Sequence, residues 1–360
     1  MDGVYLGIPT VPGAPGAAST ADRPPSPDLI DTFGRVARDL RVSLTDRCNL
    51  RCTYCMPAEG LDWLPKHELL SDAELTRLIR IAVTRLGITN IRFTGGEPLL
   101  RRGLAEIIAA TAALRPRPRM SMTTNGIGLA RTAKALADAG LDRVNVSLDT
   151  LRADRFAELA RRDRLADVLA GLAAAAAAGL APVKVNSVLL RDTNDDEAVD
   201  LLDFCLRHGY HLRFIEQMPL DPQHGWNRAE LVTAEEILDL LGHRFRLVES
   251  AEPRGSAPAE QWRVHDQHGG PALGTVGVIG SVTRPFCEDC DRTRLTADGQ
   301  MRNCLFSQVE TDLRGPLRDG ADDAELADLW RAGMWGKLAG HRINEAGFAQ
   351  PIRPMSAIGG

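Results

Sequence analysis

Strand and helix patterns alternating between residues 40 and 217 predict an α/β chain. Its expected core is a partial (β/α)6 TIM-like barrel with a C-terminal region covering the open side. Three observations lead there. Six short stretches alternate apolar and polar residues, as strands do, and helical stretches separate them. Polar or glycine residues end nearly every strand rather than one switch point: Thr45, Gly95-Gly96, Thr123 with Asn125, Ser147 with Asp149, Lys184 with Asn186, and Glu216. That distribution weighs against a doubly wound open sheet. Past Pro219, Gly, Pro and His become frequent and helical periodicity shortens, which suits a segment laid over the exposed side of an incomplete barrel.

Residues 1–28 are rich in Pro, Gly, Ala and Ser, too polar to bury a core, and are expected to form a disordered extension. Residues 29–218 form the expected barrel domain. Residues 40–45 read as its first strand. Ser71 and Glu74 make a capping box that opens a helix to about residue 86. A strand over 90–94 leads to Gly95-Gly96-Glu97-Pro98. Helix 103–114, strand 120–124, helix 131–139 and strand 143–148 come next. A helical stretch over 152–178 breaks near Arg162. Strand 183–190, helix 195–208 and strand 211–217 complete the set. Lys184 and Asn186 share one face of their strand by its period of two. The C-terminal region, 219–360, shows small strands at 261–265 and 275–282 and helices near 234–241 and 322–332.

The composition excludes several function classes. The formal charge is −5, so no global field attracts nucleic acid. No apolar run is long enough to span a bilayer, and residues 1–28 lack a basic start and an apolar core, so no secretory signal is visible. There are seven cysteines. Six form two triplets, and the odd total argues against a disulfide framework. A reducing cytoplasm fits best.

The first triplet is Cys48, Cys52 and Cys55, spaced C-x3-C-x2-C after a strand end. Three thiolates on one short loop can hold three irons of a [4Fe–4S] cube and leave the fourth open to a small molecule. Zinc would want a fourth N or S ligand close by, and His67 is the nearest. One βα unit later, Gly95-Gly96 allows close backbone approach to a ligand. The second triplet is Cys287-x2-Cys290-x13-Cys304, followed at once by Arg292-Thr293-Arg294. Structural zinc with a distant fourth ligand stays open for this triplet, but arginine forks beside it suit an anion.

Together, DRCNLRCTYCMP, RFTGGEPLLR, TTNG, NVSLD, RFIEQM, FCEDCDRTRL and a terminal IGG resemble the molybdenum-cofactor GTP 3′,8-cyclase family of radical S-adenosylmethionine (SAM) enzymes. The resemblance runs in order over residues 40–360. It implies two [4Fe–4S] clusters, with Cys48, Cys52 and Cys55 holding the catalytic one that binds SAM and Cys287, Cys290 and Cys304 holding one that meets guanine. Tyr54, Gly96, Ser147 and Met218 match SAM contacts. Arg41, Arg92, Thr123, Lys184, Arg292, Thr293 and Arg294 match GTP contacts, and Gly359 with Gly360 matches a tail entering the site. Asn90 departs from the pattern, since relatives often carry Lys there.

By the same resemblance the enzyme is a lyase. A 5′-deoxyadenosyl radical takes hydrogen from the ribose 3′ carbon of GTP, and the carbon radical then attacks guanine C8. The implied partners are a reductant protein, a downstream cyclic pyranopterin monophosphate synthase and a second copy in a homodimer. Neither nucleic acid nor membrane is expected. Two other readings remain at this stage: a radical SAM enzyme with an auxiliary cluster acting on a peptide, and a zinc-binding module.

Overall fold

The computed structural model describes residues 22–359. Most of the expected extension, and Gly360, lie outside the described residues. At the near edge of that extension, Arg38 donates to the Asp28 carboxylate at 2.8 Å and Arg331 donates to the Pro27 carbonyl at 3.0 Å.

The barrel repeats run β1 (Asp39–Ser43), α1 (Asp72–Arg85), β2 (Asn90–Thr94), α2 (Leu104–Ala112), β3 (Arg119–Thr124), α3 (Leu129–Asp138) and β4 (Arg143–Ser147). They continue with α4 (Ala153–Ala160), α5 (Leu165–Ala177), β5 (Lys184–Val188), α6 (Ala198–His208) and β6 (His211–Ile215). Then come α7 (Ala234–Gly242), β7 (Phe245–Glu249), β8 (Glu260–Asp266), β9 (Gly274–Ile279), β10 (Arg292–Leu295), β11 (Gln300–Arg302) and β12 (Thr311–Asp312). The chain closes with α8 (Arg314–Arg318), α9 (Asp323–Trp335) and α10 (Met355–Ile358).

Among the described residues, the twelve strands form one sheet in the order β12-β11-β10-β1-β2-β3-β4-β5-β6-β9-β8-β7. β1 to β6 pair in parallel, as right-handed βαβ crossovers require. The C-terminal region does more than cover the open side. It adds β10 in parallel to β1 and β9 in parallel to β6. The sheet stays open, because β12 and β7 are its edges.

The strands' outer faces make the core. Leu40, Val42, Ile91, Phe93, Met120, Met122, Val144, Val146, Val185, Leu212 and Phe214 are buried there with the inward stripes of the helices. On α1 those are Leu75, Leu78, Ile79 and Ala82. Each fully buried Leu or Ile is worth roughly 1.5–3 kcal/mol. α1 begins at the expected box: Ser71 Oγ accepts from Glu74 N–H, and the Glu74 carboxylate accepts from Ser71 N–H. Thr233 with Glu236 and Asp322 with Glu325 open α7 and α9 in the same way.

The break expected near Arg162 falls one residue earlier. Arg161 takes a left-handed conformation, φ 52°, ending α4 before α5 starts. The inner strand faces are polar instead of apolar, and this inversion builds the cavity.

Candidate functional site

Period two sends Arg41 and Ser43 of β1, Arg92 and Thr94 of β2, Ser147 of β4, Asn186 of β5 and Arg213 of β6 inward. With the β10 side chains Arg292 and Arg294, Arg41, Arg92, Ser147, Asn186 and Arg213 line one cavity of ≈ 350 Å³. All six triplet cysteines border this same cavity.

The first trio sits on the loop after β1. The loop is pinned from below by the break between α4 and α5. Thr53 N–H donates to Leu159 O at 2.9 Å, Arg51 N–H to Ala160 O at 3.1 Å, and Arg161 reaches the Met56 carbonyl at 2.9 Å. Gly95-Gly96 closes against the loop: Gly96 N–H donates to Thr45 O at 2.7 Å and Glu97 N–H to Arg47 O at 2.8 Å. A Cβ on Gly96 would lie 2.2 Å from the Arg47 carbonyl oxygen, so the two loops can meet only if that residue is glycine.

Glu97 is a strut between strand ends. Its carboxylate accepts from Leu99 N–H (3.0 Å), Thr124 Oγ1 (2.7 Å) and Asn125 N–H (2.7 Å). Burial pushes this carboxyl up to about 7 against those donors. Tyr54 hydroxyl donates to Asp149 at 2.7 Å, and Val188 N–H holds the other Asp149 oxygen at 2.9 Å. Burial raises Asp149 to about 6. It also raises the thiols of Cys48, Cys52 and Cys55, the last to about 12.

The second trio has different surroundings. Arg35 donates to the Cys287 carbonyl at 2.7 Å, and to the Leu338 and Ala339 carbonyls at 2.6 and 2.8 Å. Lys337 Nζ donates to Cys290 O, Cys290 Sγ and Arg292 O at 3.0, 3.2 and 2.9 Å. Arg292 Nε points to the same sulfur at 3.4 Å. Burial favours the Cys290 thiol, but the charges of Arg292 and Lys337 overcome it and bring Cys290 down to about 6.

Each trio thus offers three free thiols at the rim of a shared cavity. No three His, Cys, Asp or Glu among the described residues are grouped to hold a single metal ion. A donor set of three sulfurs without a fourth ligand fits a cube with one open iron better than closed zinc.

The lining shared with the trios is also cationic. Register aligns Arg41 with Arg92 on one side and with Arg294 on the other. Asp39 sits among them, with Arg41 and Arg92 each 3.8 Å away. Burial would neutralise Asp39, yet Arg92, Arg41, Arg292 and Arg294 hold it below the usual carboxylate range. Asp39 Oδ1, Arg41 Nε, Arg92 Nε and Arg292 Nη2 are buried without hydrogen-bond partners. Burial, Arg92 and Arg143 push Arg213 down to about 9. Burial, Arg213, Arg143 and Arg92 bring Lys184 down to about 7. So many like charges around unmet donors form a site built for a polyanion.

The structure brings Tyr54, Gly96, Ser147, Met218, Arg41, Arg92, Thr123, Arg292 and Arg294 to the cavity with the cysteines. It does not bring the side chain of Thr293 there. Thr293 alternates to the opposite face of β10, where its hydroxyl accepts from Trp330 Nε1 at 3.3 Å and lies 3.4 Å from the Arg302 carbonyl. Lys184 is not in the lining, although Arg213 and Arg92 are close enough to shift it. The tail docks on the inner strand faces: Ser43 Oγ donates to Ile358 O at 2.9 Å, Arg294 donates to Gly359 O, and Met355 and Ser356 line the cavity.

Sequence reasoning missed Arg213 as a lining residue, and Arg35 and Lys337 behind the second trio, and it read Asn125 and Asp149 only as polar strand ends. Arg213 had a signal, since it leads the RFIEQM stretch and shares a strand face with Ile215.

Residues 42–205 match the Radical SAM superfamily and residues 210–343 match Molybdenum Cofactor Synthesis C. A GTP 3′,8-cyclase of Mycobacterium sp. (strain KMS) is 65% identical over 355 residues, 99% of each chain. The GTP 3′,8-cyclase of Streptomyces coelicolor is 67% identical over 333 residues, 92% of this chain and 96% of that one. Among solved structures, Streptococcus suis SuiB bound to S-adenosylmethionine superposes with a TM-score of 0.57 at 15% identity. The match covers 83% of this chain and 67% of that one and speaks to the fold alone. With near-complete alignment at such identity, and both cysteine trios facing one cationic cavity, the chain belongs to the GTP 3′,8-cyclase family of radical SAM enzymes.

Proposed function

We propose that this enzyme converts GTP to (8S)-3′,8-cyclo-7,8-dihydroguanosine 5′-triphosphate, the first step of molybdenum cofactor synthesis. The observation that carries the proposal is the single cavity bordered by both cysteine trios and floored by arginines. A peptide-modifying reading has no need for that floor, whereas a triphosphate does.

Cys48, Cys52 and Cys55 would hold the cluster that meets SAM, and Cys287, Cys290 and Cys304 a second one that meets guanine. When bound, the first cluster and SAM supply an electron and a 5′-deoxyadenosyl radical. The chain's own work is positioning. Arg41, Arg92, Arg213, Arg292 and Arg294 bind the phosphates, so the ribose is directed toward the first trio and the base toward the second. Thr123 and Lys184 support the phosphate end. Gly96, Tyr54, Ser147 and Met218 surround SAM, and Asp149 fixes the Tyr54 hydroxyl. The docked tail and the barrel wall exclude water and quenchers from the reaction.

The wider reading rests on the resemblance of the sequence motifs alone. It comprises a protein reductant, a homodimer, a cytoplasmic location, and product passed to a cyclic pyranopterin monophosphate synthase. It also comprises a working division into 29–218 and 219–360, preceded by an extension over 1–28. No helix among the described residues is long and apolar enough to cross a membrane.

Anaerobic reconstitution followed by incubation with SAM, a reductant and GTP tests the proposal. Formation of the cyclised nucleotide, with about eight irons per chain, supports it. GTP recovered unchanged while SAM is cleaved, or zinc in place of iron, rejects it.

A further inference from the structure

Lys337 is 3% exposed and follows directly on the end of α9. Its ammonium has three donors, and all three are used: two carbonyls, on Cys290 and Arg292, and the Cys290 sulfur at 3.2 Å. None of these acceptors is a carboxylate. A buried ammonium is costly unless an anion faces it, and the facing atom able to carry full charge is Cys290 Sγ.

The first trio is met differently: Arg51 donates to the Cys48 carbonyl at 2.8 Å and its charge favours the Cys48 thiolate, but its guanidinium makes no hydrogen bond to a sulfur. The side-chain donor that reaches one of the trio's sulfurs is the neutral Asn125 amide, 3.9 Å from Cys48 Sγ. The acidic groups Asp149, Glu97 and Asp221 act on its thiols from nearby. Two chemically matching trios bordering one cavity therefore differ: cations contact a sulfur of the second, while acidic side chains outnumber the single Arg51 around the first.

We propose that Lys337 is a positioning residue for the second centre: it fixes the Cys290–Arg292 turn and raises the reduction potential of whatever iron–sulfur group the Cys287/Cys290/Cys304 trio holds. The inference rests on reading that trio as a cluster site. Hydrogen bonds and positive charge at a ligating sulfur stabilise the more negative, reduced state. The two carbonyl bonds tie the α9 end to the turn that carries both Cys290 and Arg292, so one side chain sets the thiolate and aims the arginine beside it.

The test uses the full-length Cys48→Ser/Cys52→Ser/Cys55→Ser protein, in which only the second trio remains, reconstituted anaerobically with iron and sulfide. Iron is counted, and the centre is titrated with dithionite under electron paramagnetic resonance. About four irons per chain are expected. Lys337→Met should lower the reduced-to-oxidised ratio at the parent's midpoint about tenfold, a shift of about 59 mV for a one-electron couple. Lys337→Arg should restore most of it, and Lys337→Gln, which keeps a donor without the charge, should fall between.

An unchanged midpoint in a loaded Lys337→Met protein overturns the inference and leaves the cluster reading standing. If Lys337→Met takes no iron, the Lys337→Gln midpoint decides. Loss of loading in both, restored by Lys337→Arg, supports the inference, since charge then decides whether the cage forms. A parent that binds no iron overturns the cluster reading, and the inference with it.

Discussion

The Arg294 guanidinium donates to the carbonyl oxygen of Gly359, so a cavity arginine on β10 is held by the tail of its own chain. The Gly359 α-carbon is packed so closely that an added Cβ would lie 2.2 Å from Ser43 Oγ and 2.7 Å from Thr94 Cγ2. Its φ of 83° also disfavours any side chain. Gly359→Ala should lift the tail without touching either trio. The expected outcome is unchanged iron content and retained SAM cleavage, with GTP cyclisation reduced roughly 10²-fold, the scale of a small misplacement near a reacting centre. Product assay beside 5′-deoxyadenosine assay checks it; parallel loss of both signals would count against it.

Arg213 reaches across to Asn186 Oδ1 at 3.0 Å and lines the floor with Arg92. Arg213→Ala removes a buried cation that has no carboxylate among its hydrogen-bond partners. Bonds to charged groups are worth roughly 1.5–3 kcal/mol, so GTP affinity should weaken by about 10- to 100-fold. Anaerobic calorimetry with GTP measures this, and an unchanged Kd would remove Arg213 from the phosphate site.

Lys184 predicts a pH dependence. Burial, then Arg213, Arg143 and Arg92, lowers it from 10.5 to about 7. In the free enzyme it is charged below about pH 7 and neutral above. A triphosphate favours the charged form, so binding above about pH 7 takes up a proton, and affinity falls as pH rises above about 7, by at most about tenfold per unit. His211, lowered by burial and by Lys184, is neutral over this range and adds no opposing step. Calorimetry in buffers of different ionisation enthalpy should show proton uptake at pH 8 that Lys184→Met removes. Equal uptake in both proteins would contradict the assignment.

Arg35 joins Asp31 at 2.6 Å and three carbonyls on two segments, among them that of Cys287. Asp31 is 1% exposed. Arg35→Ala leaves a buried carboxylate without its cation, at a cost of about 3 kcal/mol, and frees the Cys287 loop. Thermal melting should show the loss, and iron should fall from about eight to about four per chain. Full iron retention would show that the loop holds its shape unaided.

Much of the barrel was readable because its signals are local. Period two in β1 to β6, the Ser71–Glu74 box and the spacing of Cys48, Cys52 and Cys55 each sit within a few residues. The pairing of β10 with β1 and of β9 with β6 had no such mark, since a strand's partner far along the chain leaves no trace in its own composition. Thr293 was grouped with its neighbours because RTR read as one basic motif, yet a strand turns its middle residue away. Lys337 was invisible for a related reason: it lies beyond a helix end, and only the fold sets it on Cys290.

The placement of β9 and β10 at opposite flanks of β1–β6 bears on how the protein is born. A nascent chain that has emerged only as far as Met218 presents both β1 and β6 as bare, unpaired edges. Those edges are satisfied late in synthesis, and β10 brings the second trio with it. Cluster delivery that engages both cages is therefore expected to follow completion of the polypeptide, and fragments ending before β10 should associate with one another in the cell.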